Sequence, residues 1–529
     1  MSSSPYICVT TQHSSVHELL EDAEFKALAN RPGFLVELRL DAYNDLNEAA
    51  LHRALNVFAP NALVTFRHPK EGGLRSDAID SKRLRYLQLA ADRGVKYVDI
   101  EARTPRAGFN KRDSKLILSY HDFEQPLTYD ILRGIWLKHS SQQDVDVVKV
   151  ACACKTVKDS APMLRLLREL QTMPRASVMV RVSGASVHVP EPLFVSMGEA
   201  GLWTRILAGR FGAPLTYARP EHGLGSAPGQ ITWRALEEIY RFREIAPGWP
   251  VYGVIGNPIA HSLSPLLHNT ALKELKAEGV YVPFLVDGDP GAFMHSFGST
   301  LSGVSVTIPH KQAMLKECDQ VEPSARAIGA VNTLSRMDGG NTQQSTVSGW
   351  LGSNTDAPAV GDALEAALRT LKGKHVLILG AGGAARAVAF GVKERGAIVL
   401  ILNRTRERAD ALAKDVGATV VALTDLPKLK LDAIVNATPV GMAPQVDATP
   451  LREAQIPPGV LVFDTVYNPL RTKLLELAQA KGNPTVEGLS MFIGQGVQQF
   501  ELWTGKKAPV EAIEEVVLQE LKKTRMAHA

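Results

Sequence analysis

A chain of 529 residues, 45% hydrophobic and 22% charged with a formal net charge of +4, has room for about two to four folding units, because single cores stop growing at roughly 250–300 residues. So small a charge over this length indicates neither a nucleic-acid partner nor an anionic membrane, and four cysteines without a CxxC pair make neither a disulfide framework nor an expected metal site. The opening M-S-S-S-P runs into Tyr6–Thr10, which reads as a strand rather than a signal or transit segment. With no apolar run near the roughly 18 residues of a membrane span, a soluble cytoplasmic protein is expected, with monomer and homodimer both open.

In the first half, β-rich segments recur with helical patterns between them: Tyr6 to Thr10, Phe34 to Leu40, Ala62 to Phe66, Val95 to Glu101, Lys115 to Tyr120, Val145 to Ala151 and Pro214 to Tyr217. This alternation argues for parallel βαβ units. A further strand is needed between Ala151 and Pro214, where Ser177 to Val182 and Leu193 to Met197 both qualify. Eight strands in this length fit a (β/α)8 barrel, whose reactive groups sit where strands end on the C-terminal face. Polar residues gather at those ends: Glu37, Arg39 and Asp41, then Arg67 and Glu71, Asp99 and Glu101, His121, and Lys149 among valines. A lysine on a barrel strand either snorkels to the rim or faces a polar site. Desolvated among cations, its amine becomes a nucleophile for carbonyls, and a histidine at the neighbouring strand end can then move protons.

The set E-L-R-L-D, F-R-x-x-x-E-G-G at 66–73, S-Y-H-D-F, D-V-V-K-V-A, M-G-E-A-G-L-W-T-R at 197–205 and S-A-P-G-Q at 226–230 resembles type I 3-dehydroquinate dehydratase. The resemblance implies a Schiff base between Lys149 and the ketone of 3-dehydroquinate, with His121 as acid/base and Glu71 orienting it. It further implies that Glu37, Arg39, Arg67, Arg205, Ser226 and Gln230 hold the substrate. Thr204 departs from the serine usual before Arg205, and the stretch after Lys149 is longer than the family pattern.

A seam follows. A helical pattern from Ala235 to Glu244 ends in Ala246-Pro247-Gly248-Trp249-Pro250, which reads as a short linker, and an apolar strand starts at Val251. Strands Val251 to Ile255 and Val304 to Thr307 suggest a smaller α/β unit. Beyond it, Val376 to Leu379 enters G-A-G-G-A-A at 380–385 and a helix, and Ile398 to Leu402 closes a βαβ unit. In that context the glycine pattern is a dinucleotide fingerprint: Gly380 allows the turn, Gly382 lets the backbone approach the pyrophosphate, and Ala381, Gly383 and Ala384 complete the cradle at the helix start. The second strand ends Asn403-Arg404-Thr405-Arg406-Glu407-Arg408 instead of in Asp or Glu, which suits a 2′-phosphate and so NADP rather than NAD. Two more strand-to-loop transitions, ending near Thr438 and Tyr467, extend the sheet.

G-N-P-I-A-H-S-L-S-P-L-L-H-N, V-T-I-P-H-K, I-G-A-V-N-T, N-T-D, G-A-G-G-A-A-R, N-R-T-R, D-T-V-Y-N-P and G-L-S-M-F-I-G-Q-G, in order from about residue 250 to about 525, resemble shikimate dehydrogenase. That implies hydride transfer from NADPH to the ketone of 3-dehydroshikimate, with Lys311 exchanging a proton with the alkoxide and Asp356 paired with that lysine. Ser262, Ser264, Thr307, Asn332, Tyr467 and Gln495 match substrate-binding positions, and Gly488 lies near the nicotinamide. Because both serines of the S-x-S pair are present, shikimate is favoured over quinate. The expected fold class is α/β throughout: a barrel over 1–246, a substrate domain over 250–355 completed by 487–525, and a Rossmann NADP domain over 356–486. The expected partners are 3-dehydroquinate, 3-dehydroshikimate and shikimate.

Overall fold

The computed structural model describes residues 4–76, 79–172, 189–223, 225–337 and 349–528. Two compact units form. One is Met1–Pro250 with Val282–Asp287 and His295–Ser299; the other is Val251–Tyr281, Gly288–Met294 and Thr300–Ala529.

In the first unit the strands are β1 (Tyr6–Thr10), β2 (Phe34–Arg39), β3 (Ala62–Thr65), β4 (Tyr97–Glu101), β5 (Lys115–Asp122), β6 (Val147–Ala153), β7 (Glu191–Met197) and β8 (Leu215–Ala218). They form one eight-stranded sheet in the order β7-β6-β5-β4-β3-β2-β1-β8, parallel at every pair. The barrel is nearly closed, with β7 and β8 as its two ends. Of the two candidates for the seventh strand, the one ending at Met197 is β7; Ser177 to Val182 lies outside the described residues. Side-chain caps set where the outer helices start, as where Asn47 accepts from the Ala50 N–H at 2.9 Å and so meets one of the orphan donors of the first turn. The expected helix from Ala235 to Glu244 is instead a π-helical turn (Ala235–Ile239) and a 3-10 turn (Phe242–Glu244), separated by Arg241 at φ 49°. A left-handed residue cannot continue a right-handed helix.

Two further sheets follow the barrel. The first has β9 (Val251–Gly256), β10 (Val280–Leu285), β11 (Gly303–Val306), β12 (Gln320–Val321), β13 (Thr333–Arg336) and β14 (Trp350–Ser353) in the order β10-β9-β11-β13-β14-β12. It is mixed, since β11, β13 and β14 pair antiparallel. Helix Leu489–Thr504 returns to it, Gln499 donating to Thr333 Oγ1 at 3.0 Å and Trp503 to the Leu334 carbonyl at 3.0 Å. The other sheet has β15 (His375–Leu379), β16 (Ile398–Leu402), β17 (Thr419–Val420), β18 (Ala433–Asn436), β19 (Leu461–Asp464) and β20 (Thr485–Val486) in the order β17-β16-β15-β18-β19-β20, all parallel. Both its faces are covered: Val376 and Ile378 pack into one core and Leu377 and Leu379 into another. That is why β15 reads as an unbroken apolar run. No helix among the described residues is long and apolar enough to cross a membrane.

Candidate active sites

Because strand side chains alternate between faces, residues two apart on the barrel strands point to its interior, where they wall a cavity of about 400 Å3. All nine residues expected there line it: Glu37, Arg39, Arg67, Glu71, His121, Lys149, Arg205, Ser226 and Gln230. Lys149 is only 5% exposed, and its Nζ donates to Asp99 Oδ2 and to the Tyr217 hydroxyl, each at 2.9 Å. Asp99 also takes both ends of the Arg67 fork, at 3.2 and 3.1 Å, and the Ser119 hydroxyl at 2.6 Å. Burial alone would raise the Asp99 carboxyl, but Arg67 and Lys149 hold it below the usual carboxylate range. Arg67 reaches Glu101 as well, at 3.1 Å, and Glu101 is further paired with the buried Arg83. The cavity floor is thus a desolvated charge network in which each charge has a counter-charge.

His121 Nδ1 lies 2.8 Å from Glu71 Oε2, and Arg103 Nε binds the other Glu71 oxygen at 2.8 Å. Burial, aided by the Arg67 and Lys149 charges, pushes His121 well below its ordinary value. Burial with the Glu101 charge raises Glu71 to about 7. A neutral imidazole that donates from Nδ1 keeps its Nε2 lone pair for the cavity. Glu71 reaches His121 because the chain reverses straight after it: Gly72, at φ 82°, caps the turn Pro69–Glu71, a conformation that favours glycine.

The remaining polar wall differs from residue to residue. Thr10 and Thr65 hydroxyls occupy both Glu37 oxygens at 2.8 Å, and the Arg39 fork is spent on Asp41 at 3.0 and 2.8 Å. Ser226 donates to Gln230 Oε1 at 3.3 Å. Arg205 stands apart: it is 2% exposed, its Nε has no hydrogen-bond partner among the described residues, and burial pulls its guanidinium from 12.5 down to about 10. A buried cation without a counter-ion is a ready partner for an incoming carboxylate.

In the second unit a cavity of about 270 Å3 is lined by Ser262, Ser264, Thr307, Lys311, Asn332, Asp356, Tyr467 and Gln495, together with Ala384 and Thr438. Lys311 Nζ lies 2.6 Å from Asp356 Oδ2, and Asn332 Nδ2 donates to Asp356 Oδ1 at 2.8 Å. Asp356 opens helix Asp356–Leu368, where the helix dipole favours its charge. The Asn332 amide also joins the loop to Thr355, accepting its N–H at 2.8 Å and donating to its hydroxyl at 2.9 Å. Tyr467 stacks on Phe492 with ring centroids 4.2 Å apart, and burial raises its phenol to about 12.

Gly380, Ala381, Gly382, Gly383, Asn403, Arg404, Thr405, Arg408 and Gly488 are not part of that cavity wall. Gly380, at φ 119°, turns the chain out of β15, and a Cβ on Gly382 would meet nothing within 4 Å. Helix Gly383–Glu394 starts there without a side-chain cap, so its first N–H groups are left for a pyrophosphate. Past β16, Asn403 braces the turn by donating to the Thr405 carbonyl at 2.8 Å. Arg404 and Arg408 are exposed and carry no ion pair among the described residues, whereas Arg406 pairs with Asp410 at 3.0 Å. The set fits a 2′-phosphorylated dinucleotide. A Cβ on Gly488 would meet the Val466 carbonyl oxygen at 2.6 Å, so only glycine lets that segment lie against the 464–467 loop.

Several functional neighbours escaped the sequence reading. Asp99 was visible as a strand-interrupting acid, two residues from Glu101, but its partner was not. Tyr217 gave no signal, because a tyrosine on a β-rich strand looks like core. Asp464, wholly buried at the end of β19, accepts from Thr472 Oγ1 at 2.6 Å, Asn436 Nδ2 at 2.9 Å and the Val466 N–H at 3.0 Å; it ties together loops that carry Thr438 and Tyr467.

Family models match four stretches of the chain. Residues 7–247 match the type I 3-dehydroquinase model, 254–334 the shikimate dehydrogenase substrate binding domain, 362–455 the shikimate/quinate 5-dehydrogenase model, and 488–518 the shikimate 5′-dehydrogenase C-terminal domain. The chain is 36% identical over 501 residues to a bifunctional 3-dehydroquinate dehydratase/shikimate dehydrogenase, chloroplastic, of Arabidopsis thaliana, covering 90% of this chain and 78% of that one. It is 40% identical over 282 residues to a shikimate dehydrogenase (NADP(+)) of Bacillus licheniformis, covering 51% of this chain and 98% of the relative. A shikimate dehydrogenase (NADP(+)) of Methanopyrus kandleri is 42% identical over 287 residues, covering 51% of this chain and 96% of the relative.

Proposed function

The chain belongs to the bifunctional 3-dehydroquinate dehydratase/shikimate dehydrogenase family, and from that premise we propose how its two cavities divide the work. The first unit dehydrates 3-dehydroquinate to 3-dehydroshikimate, and the second reduces that ketone to shikimate with NADPH. The observation that carries the lyase half is one cavity holding a buried lysine, a His–Glu pair and an unpaired buried arginine.

Arg205 takes the substrate carboxylate, and Glu37, Arg39, Arg67, Ser226 and Gln230 meet its hydroxyls. The Lys149 amine attacks the ketone, and loss of water leaves an imine that draws electrons from the adjacent carbon. His121 Nε2 removes the proton there while Glu71 holds Nδ1, and the imidazolium then returns the proton to the departing hydroxyl; a water then adds to the product imine, and the C–N bond breaks to free 3-dehydroshikimate and the Lys149 amine. Substrate binding expels water, which strengthens each of these contacts.

In the second unit, Ser262, Ser264, Thr307, Tyr467 and Gln495 hold the ring substituents of 3-dehydroshikimate. The helix start at Gly382 and Gly383, with Ala381, Ala384 and Thr438 beside it, receives the pyrophosphate side of NADPH, while Asn403, Arg404, Thr405 and Arg408 receive the 2′-phosphate. Bound there, the cofactor supplies a hydride. Lys311 gives a proton to the oxygen that develops negative charge, and Asp356, fixed by Asn332, keeps that ammonium aimed. Ser262 and Ser264 support shikimate rather than quinate as the product. Four free cysteines support a reducing, cytoplasmic compartment.

Supplying the protein with 3-dehydroquinate and NADPH should accumulate shikimate. Lys149→Ala should abolish this from 3-dehydroquinate yet spare it from 3-dehydroshikimate, and Lys311→Ala should let 3-dehydroshikimate accumulate. Loss of both half-reactions in either single variant would reject the assignment of one lysine to each reaction.

A further inference from the structure

Among the described residues the Lys149 ammonium has two hydrogen-bond partners, and only one is a carboxylate. The Tyr217 hydroxyl, 2.9 Å from Nζ, is as near as Asp99 Oδ2, and Nζ lies 4.3 Å from the Tyr217 ring centroid. Tyr217 is 3% exposed on β8 and lines the same cavity as Lys149 and His121. A tetrahedral nitrogen bonded to Cε and held by Asp99 and Tyr217 keeps one direction for the cavity. Asp99 cannot give a proton away, being an ionised acceptor already engaged by Arg67 and Ser119. His121 is held by Glu71 at 2.8 Å. Tyr217, whose phenol burial raises well above its usual value with help from Glu37 and Asp99, carries one O–H donor and two lone pairs. It is therefore the partner of Nζ that can both give and accept.

We propose that the Tyr217 hydroxyl is a catalytic group of the lyase: it aims the Lys149 amine at the ketone and relays a proton from that nitrogen to the carbinolamine oxygen. The proposal rests on the imine reading of this cavity. His121 Nε2 first takes a proton from the Lys149 ammonium, which frees the Nζ lone pair; in the attack that pair forms the N–C bond and the C=O π pair moves onto oxygen. A nitrogen-bound proton passes to the Tyr217 oxygen as Tyr217's own proton passes to the alkoxide, so the phenol ends neutral and no buried phenolate forms. The C–O bond then breaks with its pair, the nitrogen lone pair closes C=N, and the hydroxyl leaves as water with the proton that His121 took from the ammonium.

Tyr217→Phe removes the hydroxyl and keeps the ring. With the full chain, 3-dehydroquinate and a rapid borohydride quench read by intact mass, the rate of adduct formation on Lys149 should fall roughly 10²-fold, and its solvent deuterium isotope effect should vanish. Affinity for quinate, which lacks the ketone, should hold. An unchanged adduct rate, or a loss of quinate affinity by the same factor, overturns the role given to Tyr217. A wild-type protein that yields no adduct overturns the imine reading itself, which separates the two failures. If the phenylalanine variant loses hydrogen-exchange protection in the barrel, a fluorotyrosine at the position keeps hydroxyl and fold. Its adduct rate should then move with phenol acidity, and a rate indifferent to fluorination counts against the relay.

Discussion

Arg205→Met tests the idea that this barrel stores instability for use in binding. Burial takes the guanidinium from 12.5 to about 10, and at about 1.4 kcal/mol per tenfold that corresponds to roughly 3 kcal/mol against the charged form. No carboxylate among the described residues repays it. Methionine has similar length and no charge, so it should relieve much of that cost, and replacing buried charge by a fitting apolar side chain stabilises by about 1–4 kcal/mol. Hydrogen exchange of the full chain, read on peptides from β7 and β8, should show slower opening in the variant. Removing one partner of a buried charge pair costs about 2–5 kcal/mol in binding, so the KM for 3-dehydroquinate should rise at least tenfold while dehydrogenase kinetics stay put. A variant with faster exchange would show the guanidinium already satisfied without substrate, and an unchanged KM would move the carboxylate to another group; either result defeats the reasoning.

Asp464→Asn addresses a buried acid with no cation beside it among the described residues. Burial raises it from 3.8 to about 6 despite donors from Thr472, Val466 and Asn436. The folded state therefore holds its proton more tightly than the unfolded chain, so the wild-type advantage is full below pH about 4 and is lost as pH rises through about 6. Thr472 can reverse its hydroxyl to meet an amide, so the variant should match wild type at pH 4 and gain up to roughly 3 kcal/mol of local stability over it at pH 8; a loss at pH 8 would mean that the three donors outweigh burial. Arg404→Ala and Arg408→Ala should each raise the KM for NADPH about tenfold and leave NADH use unchanged. A constant NADPH-to-NADH ratio would place the 2′-phosphate elsewhere.

In the barrel, the sequence displayed its site because period-two alternation forces polar residues on a buried strand to face inward. Glu37 and Arg39, Asp99 and Glu101, and His121 at a strand end are all placed by that parity alone. Pairing was not legible. Lys149 meets Asp99 at 2.9 Å across intervening β5, a contact set by barrel curvature and stagger rather than by any local spacing. The same holds for Tyr217, 68 positions from its lysine. Helix Ala235 to Glu244 failed for a local reason, since periodicity carries no mark of the left-handed Arg241 that divides it.

The dehydrogenase inverts this pattern, because its chemistry lies on loops and helix starts whose positions depend on glycines and amides rather than on strand parity. Lys311 and Asp356 are separated by 45 positions and meet at 2.6 Å because Asn332 fastens the Asp356 helix to the end of β13. Each is unremarkable as a lone residue; what marks them is the short motif each sits in, and a motif is informative where several backbone groups must be held at once. The unpaired Arg404 and Arg408 follow the same logic from the other side. Exposed cations at a strand end, beside an uncapped helix, look like ordinary surface until the turn at Gly380 gives them an anion to face. Legibility thus tracks how the geometry is enforced: alternation exposes the wall of a barrel, motifs expose a loop-built site, and contacts closed only by tertiary curvature, such as Lys149 with Tyr217, stay hidden until the sheet is rolled.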